Sequence, residues 1–155
     1  MKRVTPGMVM ALLTGALVAG SAVLAPSAAA VTPTTATVDF DCGSYGSGTA
    51  SLTAAQDGTS ATITVTQPAL TSPVDIPAGS VTSTLTLTDG SATTTFTGSS
   101  NPDVAAGDPV STGPLTGTVA SGDSLSAGEL SVTVFGRTAS CTATSAQAPG
   151  PFVFD

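Results

Sequence analysis

The sequence predicts an all-β protein, a two-layer β-sandwich of roughly seven or eight short antiparallel strands with Greek-key connections. Three observations carry this. Apolar and polar residues alternate with period two along most of the chain after residue 30, as half-buried strands require. Thr, Val and Gly are abundant and charged residues make up only 8% of the chain, which suits pleated strands and tight turns rather than a charge-dominated disordered segment. Asp-Gly pairs at 57–58 and 89–90 separate alternating runs, where a two-residue hairpin turn needs positive φ. An open barrel is the competing arrangement.

The first element is not a strand. Met1-Lys2-Arg3 leads into the apolar run MVMALLTGALVAGSAVLA at 8–25, followed by Ala28-Ala29-Ala30. A short basic region, an apolar stretch and small residues before a cleavage point form a Sec-type signal peptide over residues 1–30, with cleavage between Ala30 and Val31. A membrane anchor is the alternative, but the run is rich in Ala and Gly and ends at the cleavage-like site. The expectation is a secreted, extracellular protein with no membrane association after cleavage. Residues 31–148 are long enough for one domain, and 149–155 form a C-terminal tail.

In TATVDFDC, Ala36, Val38, Phe40 and Cys42 share the inward parity. Ala50, Leu52 and Ala54 continue it, and beyond Asp57-Gly58 so do Ala61, Ile63 and Val65. The stretch QPALTSPVDIPAG at 67–79 carries three prolines, which cannot donate to a central ladder, so it reads as a crossover or edge segment. Val81, Ser83, Leu85 and Leu87 run up to Asp89-Gly90, and Ala92, Thr94 and Phe96 return. After the polar loop at 99–113, Leu115, Gly117 and Val119 mark another strand, then Leu130, Val132 and Val134 the next. Phe135-Gly136-Arg137 reads as a turn, and Ala139, Cys141 and Ala143 form the last clear strand, leaving the tail APGPFVFD extended at best, with Phe152-Val153-Phe154 either capping the sandwich edge or offering a strand to a partner. No internal repeat of useful period is visible, which argues against a solenoid.

Both cysteines lie on inward parity near the two ends of a chain addressed to an oxidising compartment, so a Cys42–Cys141 disulfide is expected. A nucleophilic Cys42 would need a base to form thiolate, and the chain has no His and no Lys beyond Lys2. A structural zinc site needs about four soft or imidazole ligands, which two cysteines cannot supply. The neighbouring GSYGSG lacks the Lys and helix of a phosphate-binding loop and reads as a loop or bulge. Tyr45 within it reads as a core plug, with ligand contact the alternative.

Beyond the leader, Arg137 is the sole basic residue against ten acidic ones. That excludes nucleic acid and anionic membrane surfaces as partners, because both demand Lys and Arg to displace counterions. Ser and Thr hydrolase chemistry lacks its base. The carboxylate pairs Asp39 with Asp41, and Asp103 with Asp108, are the candidates for glycosidase chemistry, but few Arg, Asn or aromatic residues are present to hold a sugar. No catalytic residues and no cofactor are assigned. Asn101, Asp103 and Asp108 offer hard oxygens for calcium, although their spacing fits no EF-hand and Asn-Pro-Asp is common turn chemistry.

From TVDFDC to GPLTGTVASGDSLSAGELSVTVFGRTASCTA, the layout resembles the secreted, Ala/Thr-rich Ig-like modules of unknown function found in actinobacteria. The resemblance implies an Ig-like two-sheet β-sandwich and an export route, and brings no catalytic residues. The functional expectation is a non-enzymatic module acting by protein or cell-wall contact. A second is a small-ligand carrier similar to the acidic apoproteins of secreted enediyne antibiotics, from which this chain departs by having one long-range cysteine pair. A third is a protease inhibitor presenting the 98–114 loop. For a carrier, Phe96 or Phe135 would lie near the ligand cleft, although both read primarily as core.

Overall fold

The structure, a computed structural model, describes residues 30–155; the expected leader, Ala30 excepted, lies outside the described residues. In chain order the strands are β1 (Thr35–Asp41), β2 (Ser47–Asp57), β3 (Ser60–Thr71), β4 (Thr82–Asp89), β5 (Ala92–Gly98), β6 (Pro109–Thr118), β7 (Ser124–Val134), β8 (Arg137–Ala143) and β9 (Phe152–Val153). The inward parity read from β1 to β4 holds: Val38, Phe40, Leu52, Ile63, Leu85 and Leu87 are all buried in the core. On β5 only Phe96 of the expected inward set is buried.

The two-sheet sandwich, Ig-like by resemblance, does not form. Hydrogen bonding runs β4-β5-β6-β3-β2-β1-β8-β7 and returns from β7 to β4, closing eight strands into an antiparallel barrel. Two narrow seams complete the ring. Phe40 pairs with Ala143 and Asp41 with Thr142 between β1 and β8, and Thr97 pairs with Thr116 between β5 and β6. A sandwich would leave those strands as open edges; closure satisfies their backbone groups and removes the edges.

The β5–β6 seam depends on missing side chains. Phe96 lies so close over Gly117 that a Cβ there would sit 2.8 Å from the ring. Gly117→Ala is expected to destabilise by about 1–3 kcal/mol through overpacking. Equilibrium unfolding in urea measures this, and an unchanged midpoint would mean that the seam has slack.

The hairpin turns fall one residue later than the Asp-Gly pairs suggest. Asp57 pairs with Ser60 and Asp89 with Ala92, so the central residues are Gly58-Thr59 and Gly90-Ser91. Only the glycine of each has positive φ, +61° at Gly58 and +58° at Gly90, the glycine-first pattern of a II′ turn. On β7, Thr86 pairs with Glu129 but Leu87 with Ala127, so Gly128 is an extra residue. This bulge shifts the buried parity from Leu125 and Ala127 to Leu130, a change that alternation alone does not reveal.

The tail is part of the core. β9 pairs with the start of β7 through Ser124↔Val153 and Leu125↔Phe152, and Phe152 and Phe154 are fully buried. The Phe154 ring lies 6.5 Å from that of Phe96 and 6.5 Å from that of Phe152. Phe154 N donates to Asp123 O, Gly122 N donates to Phe154 O, and Asp155 N donates to Gln56 Oε1. These contacts plug the barrel at the end where the β2–β3 hairpin turns.

Candidate functional site

The opposite end is open, and the reason lies in proline. Pro68 has no N–H for the ladder, and the β3–β6 register passes from Gln67↔Val110 to Thr71↔Pro109. Residues 68–70 of β3 therefore bulge out opposite a single step of β6, and pairing resumes at Thr71↔Pro109 and in Ser72 N donating to Asp108 O. A second irregularity lies between Thr64↔Pro114 and Thr66↔Ser111. There Thr112 Oγ1 accepts a hydrogen bond from Val65 N at 3.0 Å, satisfying the donor that the ladder leaves unpaired.

The bulged end holds a cavity of about 360 Å³. Val65, Leu70, Ile76, Leu130 and Val132 line it, together with Cys42 and Cys141. Eight-stranded barrels have interiors that side chains just fill or that hold one small ligand. Here the tail fills one end and leaves the other hollow.

Three exposed apolar side chains surround the mouth: Tyr45, 49% exposed, Val74, 50%, and Phe135, 61%. Tyr45 is presented by a 3-10 turn at Gly43–Tyr45, closed by Cys42 N donating to Gly46 O at 2.8 Å. Val74 sits on the 72–81 crossover. That crossover is clamped to the 99–108 loop by the Ile76–Val104 bridge and by Ala106 N donating to the Asp75 carboxylate at 2.9 Å. Phe135 is the first residue of the β7–β8 turn, where Val134 pairs with Arg137. Tyr45 and Phe135 thus depart from their expected core roles, whereas Phe96 is in the core.

Few polar groups face this space. Gln67 lines it at 5% exposure, and its Nε2 is buried without a hydrogen-bond partner among the described residues. Ser83, inward on β4 but not lining the cavity, also has a buried Oγ without a partner among the described residues. Native structures contain few such groups, and each calls for an explanation. Arg137 is at the rim, and no acidic residue is among the lining side chains.

Cys42 and Cys141 form a disulfide across a sequence separation of 99, next in line after the Phe40↔Ala143 and Asp41↔Thr142 pairs. No cysteine is free for nucleophilic or metal chemistry. The calcium candidates serve the loops instead. Asn101, buried, accepts from Val81 N at 2.8 Å and donates to Pro77 O and Pro102 O. Asp103 accepts from Ala78 N at 2.8 Å, while Asp108 is exposed and its backbone carbonyl accepts from Ser72 N. Of the other carboxylate pair, Asp39 accepts from Thr49 Oγ1 and Asp41 from Gly43 N. Among the described residues no three His, Cys, Asp or Glu side chains are grouped to hold a metal.

Gln67, Leu70 and Val74 are site residues that the sequence reading did not single out. For Leu70 and Val74 the signal was apolar residues set between prolines, where no regular ladder turns them inward; Gln67, polar and just before Pro68, carried none. Searches of family models, curated proteins and solved structures found no match to this chain.

Proposed function

We propose that this protein is an exported, non-enzymatic carrier of one small, mostly apolar molecule, held in the open end of the barrel. One observation supports this most. Three of the four large apolar side chains that are exposed among the described residues surround a single cavity. Exposed apolar side chains gathered at one place, rather than scattered singly, point to a binding site, and the cavity's volume of about 360 Å³ falls in the range of small-molecule pockets. The side chains encircle a hollow, which favours a small occupant over a flat protein face. Export accords with the buried disulfide, since such bonds persist in oxidising compartments. The absence of His anywhere, and of Lys beyond residue 2, leaves the hydroxyls without a base and supports carriage over catalysis.

Purification from the medium of the secreting cell under native conditions, with mass spectrometry before and after denaturation, is expected to release one small molecule per chain. The emptied protein is expected to bind the neutral fluorescent probe N-phenylnaphthylamine saturably. A protein that carries nothing and gives no saturable binding would sink the carrier reading.

A further inference from the structure

We infer that the occupant is an amphiphilic anion, with an apolar body inside the barrel and a carboxylate-class head at the mouth on Arg137. The Phe135-Gly136-Arg137 turn acts as its clamp. This inference rests on the carrier reading and specifies the ligand. Arg137 is the only Lys or Arg among the described residues, in a chain with ten acidic residues, and it stands at the rim of the cavity. None of those ten lines the cavity with it. A guanidinium with no carboxylate beside it at an apolar mouth selects an anionic head.

The backbone of the turn points the same way. Phe135 has φ +50° and Gly136 φ +72°, the two positive values of a I′ turn. Asn-Gly is the preferred pair there, and positive φ is unfavourable for a bulky aromatic residue. The ring is also 61% exposed, so Phe135 is unfavourable on two counts if it serves the fold alone. A strained backbone position beside a cavity points to a binding role. Within the cavity, the soft amide torsion of Gln67 lets its NH2 turn towards a ligand oxygen. That would satisfy the nitrogen that lacks a partner.

The test uses two probes with the same aromatic body, anionic anilinonaphthalene sulfonate and neutral N-phenylnaphthylamine. The wild-type protein is expected to prefer the sulfonate. In Arg137→Gln that preference falls about fivefold, the scale of a partly solvated ion pair, and Arg137→Lys restores most of it. Phe135→Asn is expected to raise the thermal midpoint by about 4 °C while weakening both probes, opposite signs that a purely structural residue would not give. If both probes bind saturably and Arg137→Gln leaves the preference intact, the anionic head is refuted and the carrier reading stands. If neither binds, both fall together. If Phe135→Asn weakens neither probe, the turn is not a clamp.

Discussion

Removing residues 149–155 is expected to leave a chain that does not fold cooperatively. The deletion takes away Phe152 and Phe154, both fully buried, and with them the β7–β9 pairing and the Asp155–Gln56 bond. Truncating one buried Phe to Ala destabilises by about 3–5 kcal/mol, through lost transfer free energy and the cavity left behind. Loss of two approaches the whole stability of a domain, about 5–15 kcal/mol. The rings touch, so their contributions are coupled, and the deletion is not the sum of two single changes. Phe154→Ala alone tests the same role in a chain that still folds. Its unfolding free energy is expected to fall by about 3–5 kcal/mol, with part of the loss arising from the contact with Phe96. A truncated chain with an unchanged urea transition would show that the tail merely covers the barrel.

Reduction of the Cys42–Cys141 bond carries the second large effect. The bond spans a sequence separation of 99, and the loop-entropy model assigns about 4.7 kcal/mol to closing a loop of about 100 residues. Its position adds a local role. The β1–β8 ladder has the Phe40↔Ala143 and Asp41↔Thr142 pairs, extended past β8 by Thr144 N donating to Asp39 O and by the Thr37↔Ala148 bridge, and the disulfide is the next rung on the other side. Without it the seam is held by non-covalent pairing alone, and the cavity loses a covalent part of its wall. The Cys42→Ala, Cys141→Ala double variant is expected to melt on the order of 15 °C below the oxidised protein. Probe binding is expected to fall with it, and amide exchange to accelerate in β1 and β8 before the rest of the barrel. Coincident melting curves with and without reductant would overturn this.

These two effects also separate what was legible in the chain from what was not. The disulfide was legible because inward parity at Cys42 and Cys141 is a local property, and a chain with two cysteines and no histidine has few other uses for them. The depth of the tail was not. Phe152-Val153-Phe154 follows two prolines at the end of the chain, and whether such a segment is buried depends on the room left at the end of the barrel. Tyr45 and Phe135 were misplaced for a related reason. Aromatic residues usually bury, and although the sequence places Phe135 in a turn and Tyr45 in a loop, only the tertiary geometry reveals that both surround an open mouth.

Alternation along the chain was sufficient to establish an all-β fold and the inward face of the early strands, because side chains in a strand alternate whatever the strand pairs with. A sandwich and a closed barrel make the same demand on that pattern, since each buries one face. What distinguishes them here is which distant strands meet, and the seams that close the ring contain one rung at Thr97↔Thr116 and the pairs at Phe40↔Ala143 and Asp41↔Thr142. Such short contacts need no special residues and leave no periodic trace. The cavity likewise arises from registers slipping around Pro68 and Thr112 in two strands at once. The proline was visible in the sequence, but the space it opens exists only once β3, β6, β7 and β8 surround it.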